Sequence, residues 1–160
     1  MKYRRLSIQE LETLEKEFVQ FLASNHITAT DWVKLKDTDL EKVEQLIGIF
    51  SDIVMEKTLN KLKYLEFITP KDIKTFYCGK DKIHLQGLRM KDNLPYSFLE
   101  LSLPKDLDAL LKSTEEGLEV YRATKDYKDS REQELFQMLE HGCLISKEGI
   151  LFNLLKGLKG

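Results

Sequence analysis

Two cysteines among 160 residues, Cys78 and Cys143, are too few for a disulfide scaffold and no export signal accompanies them, so both are expected as reduced, buried thiols. Three prolines and eight glycines exclude a collagen-like period and leave no flexible linker. No apolar run approaches the roughly 20 residues of a membrane span. The opening MKYRRLSIQE has basic residues without the apolar core of a signal peptide. A cytoplasmic chain with no membrane segment is the expectation. The glycine-rich loops G-x-x-x-x-G-K and G-x-G-x-x-G are missing, and phosphate cradling needs them because only bare backbone can approach the oxygens. G-x-S-x-G, H-E-x-x-H and C-x-x-C are missing too. This leans against an enzyme, although catalytic groups dispersed along the chain leave no such trace.

What is present is a charge-rich globular composition, 42% hydrophobic and 32% charged with a formal net charge of −2. Its length fits one domain, residues 1–160, able to bury roughly two-thirds of its unfolded surface. Residues 1–60 carry 8 basic and 11 acidic side chains, residues 61–110 carry 9 and 7, and residues 111–160 carry 8 and 9. No third is a polyelectrolyte of the kind that binds nucleic acid non-specifically. A narrower window, Lys57 to Lys91, holds nine Lys and Arg against Glu66, Asp72 and Asp81.

Patterning predicts an α+β fold with N-terminal helices over about 7–62, a central antiparallel sheet of about four strands over about 63–103, and a mainly helical C-terminal part over about 104–158. Ser7-Ile8-Gln9-Glu10 has capping-box spacing, and Ile8, Leu11, Leu14, Phe18, Phe21 and Leu22 follow at helical intervals to a stop near Ser24-Asn25. Thr30-Asp31 announces a short second helix and Asp39 a longer third one. The third carries Val43, Leu46, Ile47, Phe50, Ile53 and Val54, plus Ile49 and Met55, so its apolar arc is wide and it is expected to be the most buried.

Tyr64 to Ile68 reads as a strand, and Ile73–Cys78 with Ile83–Arg89 read as a hairpin around Gly79-Lys80-Asp81-Lys82. Tyr96 to Leu103, alternating between two prolines, completes the expected four strands. Pro104 opens a short helix through Lys112. Ser113-Thr114-Glu115-Glu116 fits a capping box, while Leu118 to Tyr121 reads equally as a strand. Ser130-Arg131-Glu132-Gln133 starts a helix that stops at His141-Gly142, and Ile150 to Leu158 is an apolar-faced helix expected to dock on the core.

Cys78, His84, His141 and Cys143 match no zinc spacing, and the hairpin pairing sends Cys78 and His84 to opposite sheet faces; no metal or cofactor is expected. Asp37/Asp39 and Asp106/Asp108 are read as helix-start carboxylates rather than cation ligands. The same pairing puts Phe76, Cys78, Ile83 and Leu85 on a core face, and Thr75, Tyr77, His84 and Gln86 on a solvated polar face with Lys80 and Lys82 at its rim. Stacking surfaces with basic rims of this type bind single-stranded nucleic acid. Arg4 and Arg5, beside Tyr3, could grip a carboxylate or phosphate. The candidate binding residues are therefore Arg4, Arg5, Tyr77, Lys80, Lys82, His84 and Gln86.

The segments MKYRRLSIQELETLEKEFVQFLASNHIT, YLEFITPKDIKTFYC and SREQELFQMLEHGCLIS resemble a family of short uncharacterised proteins of the Bacteroidota. The resemblance spans nearly the whole chain and implies a bacterial, cytoplasmic protein; it carries no activity and no catalytic residues. The expected function is a non-enzymatic module that binds another protein, with RNA or DNA binding through 57–91 and the Arg4/Arg5 arm as the alternative. An enzyme or small-ligand binder with dispersed site residues is the second alternative. The oligomeric state is open.

Overall fold

Ser7 Oγ accepts the Glu10 amide at 3.1 Å and Glu10 Oε1 accepts the Ser7 amide at 2.9 Å, closing the capping box that starts α1 (Ile8–Thr13) in the computed structural model. The structure describes residues 1–113 and 116–159. Two units stand out, Met1–Asn60 and Lys61–Gly160.

The first unit is helical. The expected single helix to Ser24 is instead divided at Leu14, between α1 and α2 (Glu15–Ser24). Thr13 Oγ1 donates back to the Gln9 carbonyl at 2.9 Å, a local bond that competes with the helix ladder, and the Leu14 amide is shared between Glu10 and Leu11 carbonyls at 3.1 Å each. A second capping box, Thr28 with Asp31, starts α3 (Ala29–Thr38) two residues earlier than Thr30 suggests. Asp39 Oδ1 accepts the Lys42 amide at 3.1 Å and begins α4 (Leu40–Lys61), while Asp37 lies in the last turn of α3 rather than at a helix start. Phe50 of α4 packs 5.0 Å from Phe18 and 5.4 Å from Phe21 of α2, and Phe18 meets half-buried Trp32 edge-on at 5.2 Å. These centroid distances are in the range aromatic pairs prefer.

The second unit is a five-stranded antiparallel sheet with helices on both faces. Its strands are β1 (Tyr64–Thr69), β2 (Asp72–Cys78), β3 (Lys82–Met90), β4 (Leu118–Asp126) and β5 (Leu144–Ser146), in the order β4-β3-β2-β1-β5. The β2–β3 register pairs Tyr77 with His84 and Cys78 with Ile83, as the Gly79–Lys82 turn requires. Tyr96–Leu103 is not a strand. Ser97 Oγ accepts the Leu99 amide at 3.2 Å and caps a 3-10 turn over Phe98–Glu100, which drives Phe98 into the core with its amide bonded to the Pro70 carbonyl at 2.9 Å. Leu118–Asp126 takes the fourth place, pairing with the whole of β3, so the sheet extends well past residue 103. Pro104 precedes α5 (Lys105–Ser113); the Ser113–Glu116 capping box falls on Thr114 and Glu115, outside the described residues.

Two further helices close the sheet. α6 (Arg131–Glu140) is capped by Ser130, whose hydroxyl accepts the Gln133 amide at 3.1 Å, and α7 (Ile150–Lys156) follows β5. On the face of Ile73, Leu88 and Met90, the core is completed by Phe98, Leu107, Leu110, Leu151 and Leu155 from the 3-10 turn, α5 and α7. α6 is tied to the other face: Glu134 pairs with Lys125 at 2.8 Å, and Arg131 donates to the Gly79 carbonyl at 3.2 Å and the Cys78 carbonyl at 3.3 Å. No helix among the described residues is long and apolar enough to cross a membrane.

Candidate functional site

The polar sheet face expected to meet solvent lies largely under α7. Thr75 is fully buried and Gln86 is buried as well, because α7 crosses the sheet on this side. Thr75 Oγ1 donates to the Gln86 carbonyl at 2.7 Å; Gln86 Oε1 accepts from Arg122 Nε at 2.6 Å. Arg122 Nη2 continues to the carbonyls of Leu155 at 3.0 Å, Lys156 at 3.2 Å and Leu158, the last carbonyls of α7 and its exit. Gln86 is thus placed in a helix-capping network. Beyond them runs an aromatic row: exposed Tyr77 stacks on half-buried His84 at 5.8 Å and meets half-buried Tyr64 at 5.4 Å, with buried Phe152 of α7 5.7 Å from Tyr64. His84 Nδ1 lies 3.1 Å from Thr124 Oγ1.

Lys80 and Lys82 sit at the exposed hairpin end, and Lys82 pairs with Asp126 at 2.9 Å. Elsewhere in the 57–91 window, Lys71 Nζ donates to the carbonyls of Leu94 at 2.7 Å and Tyr96 at 2.6 Å, Lys74 pairs with Asp72, and Arg89 is 4.0 Å from Glu119. Lys82 and these three cations are spread over both sheet faces and the turns. Arg4 and Arg5 lie in the other unit, each holding a carboxylate with two nitrogens: Arg4 on Glu10 at 2.9 and 3.1 Å, Arg5 on Glu44 at 2.8 and 3.2 Å. The arm is thereby fastened to α1 and α4. Arg4, with the Ser7 amide, holds the Glu10 carboxyl down at about 2, and Arg5 lowers that of Glu44.

Cys78 is buried, and burial pushes its thiol up to about 12. Cys78 and His84 point to opposite faces, and among the described residues no three His, Cys, Asp or Glu side chains gather where a metal could be held.

Two features lie outside the expected set. The first is on α4. Its arc is wider than one face can bury: Val43, Leu46, Ile47, Phe50 and Met55 are buried, while Ile49 and Ile53 remain 52% and 51% exposed. Four residues apart, they are neighbours on the helix surface. Beside them is a groove of about 600 Å³ with Met1, Gly48 and Ile49 as its apolar part and Glu41, Glu44 and Asp52 against Arg5 as its charged part. Asp52 receives the backbone amides of Lys2 at 2.7 Å and Tyr3 at 3.0 Å, which presses the arm along α4. The surplus of apolar residues in the 43–55 stretch was the signal for this feature in the sequence.

The second is a cleft of about 460 Å³ where β1, β5, the Leu103–Pro104 turn and the start of α7 meet, with Glu66 in its lining. The carboxyl of Glu66 is raised above its ordinary value by burial, against a hydrogen bond from Ser146. Its signal was a single acid inside the apolar strand Tyr64-Leu65-Glu66-Phe67-Ile68.

The match to known families covers residues 1–160. The chain belongs to the Family of unknown function (DUF6495). Membership in DUF6495 extends the likeness of the opening helix and the strand and helix segments to the entire sequence. No curated protein and no solved structure matches it.

Proposed function

We propose that this DUF6495 chain is a non-enzymatic protein-interaction module that receives an amphipathic, basic helix of a partner protein along α4. The observation that supports this reading is the half-exposed Ile49/Ile53 pair running beside an apolar groove edged by Glu41, Glu44 and Asp52. Contiguous apolar surface with a polar rim is what helix-in-groove recognition uses. Three carboxylates against the Arg5 guanidinium and the Met1 ammonium leave an acidic surplus that favours a partner with Lys and Arg beside its apolar stripe. Covering the exposed halves of Ile49 and Ile53 contributes about 1 kcal/mol apiece. That falls well short of the ~8 kcal/mol of a micromolar complex. The remainder must come from the partner's side of the contact and the acidic rim, so binding is modest in strength and salt-sensitive.

The test is recovery of the tagged full chain from its native host, with and without nuclease and at low and high salt, beside the Ile49→Asp/Ile53→Asp variant. The reading expects a protein that survives nuclease, weakens with salt and is absent from the variant. Material that disappears with nuclease would make nucleic acid the partner. A protein retained equally by the variant would remove α4 from the account.

A further inference from the structure

The Glu66 cleft lies in the second unit, away from α4 in the sequence, and its volume of about 460 Å³ falls in the range of small-ligand sites, ~300–1,000 Å³. Its walls are apolar: Ile68 from β1, Pro104 from the turn before α5, and Leu151 from α7. Glu66 and Ser146 supply the polar groups between those walls. Ser146 Oγ accepts the Gly149 amide at 3.1 Å and keeps one lone pair for a further donor. The neighbouring Thr75, paired with Glu66 across β1 and β2, gives its proton to the Gln86 carbonyl and offers Glu66 none.

Among the described residues no Lys or Arg forms an ion pair with Glu66. Lys147 and Glu148, the other charged residues of the lining, are exposed and opposite in sign. A half-buried carboxylate without an ion-pair partner is under-compensated, and a cation entering beside it recovers the solvation it has lost. An anion would meet Glu66 and Glu148 against a single Lys147.

We infer that this cleft binds an alkylammonium group, with Glu66 taking the charge, Ser146 accepting one N–H, and Ile68, Pro104 and Leu151 covering the alkyl chain. The group is that of a free primary amine or of a lysine side chain, which share this chemistry. The inference is independent of the α4 reading.

Amide NMR of the full chain at neutral pH, titrated with n-hexylammonium, 1-hexanol, hexanoate and Nα-acetyl-lysine methylamide, tests it. Hexylammonium is expected to shift the Ser146, Gly149 and Leu151 amides saturably, binding about tenfold more tightly than hexanol, with hexanoate weakest. Glu66→Gln should bring hexylammonium down to the level of hexanol, and Ser146→Ala should weaken it by a smaller factor, both with the amide spectrum of the folded chain. Tighter binding of the lysine derivative than of hexylammonium assigns the site to a lysine side chain; weaker binding assigns it to a free amine. Absence of saturable shifts, equal affinity for hexanol, preference for hexanoate, or an unchanged Glu66→Gln variant would each overturn the inference.

Discussion

Gln86 Oε1 and Arg122 Nε are 2.6 Å apart across β3 and β4, and the Arg122 guanidinium reaches on to three carbonyls at the end of α7. A cation at a helix C-terminus satisfies orphan carbonyls and opposes the negative end of the helix dipole. One side chain thus joins the sheet to the helix that covers it.

Arg122→Ala should therefore destabilise the second unit by about 1–3 kcal/mol, because it frees the α7 carbonyls and leaves the buried Gln86 oxygen without its donor. Urea unfolding followed by amide exchange in α7 checks this. Loss of protection should be greatest at Asn153 to Leu158.

Gly87 makes a second prediction. A Cβ built there would lie 2.2 Å from Tyr121 Cζ, so the Tyr121 ring rests on bare backbone. Tyr121 is its cross-strand partner and is flanked by the Arg89 guanidinium, 4.6 Å from the ring centre. Gly87→Ala should cost about 1–3 kcal/mol by overpacking. In a double-mutant cycle Tyr121→Ala should recover most of that loss, since the two residues are in direct contact.

The N-terminal arm should be acid-labile. Glu10 is lowered from 4.5 to about 2 in the folded chain, so its bonds to Arg4 and Ser7 contribute stability that is complete above about pH 5 and is lost as pH falls toward 2. The Ser7 amide, which donates to Glu10 Oε1, should titrate with a midpoint near 2. Arg4→Ala should move that midpoint upward, and Glu10→Gln should abolish the titration.

Thiol chemistry gives a fourth check. With its thiol pushed up to about 12 by burial, Cys78 should resist alkylation in the folded chain at pH 8, while the less buried Cys143 reacts first. Mass spectrometry after brief iodoacetamide treatment distinguishes the two.

Local chemistry was the legible part of this sequence. Ser7, Asp39 and Ser130 cap helices because their oxygens reach nearby amides, and the turn at Gly79–Lys82 sets the pairing of Cys78 with Ile83. What failed depended on distant parts of the chain. Tyr96–Leu103 alternates like a strand, yet the bond from Phe98 to the Pro70 carbonyl and the burial of Phe98 outweigh that pattern. Thr75 and Gln86 read as solvent-facing because nothing near them announces that α7, more than sixty residues on, lies over them. The α4 stripe was half visible. Its apolar surplus could be counted in the sequence, but which part stays exposed depends on where Phe18, Phe21 and Trp32 pack.

The central claim concerns that stripe, and site-specific photocrosslinking in the native host tests it most directly. A photoreactive phenylalanine analogue placed at Ile53 is compared with one at Val33, an exposed α3 position of similar accessibility at 55%. The account predicts one dominant protein crosslink from position 53 and none from 33, mapping to a partner helix with apolar residues three or four apart and Lys or Arg at its flanks. Equal crosslinking from both positions, or a crosslink that nuclease removes, would contradict it.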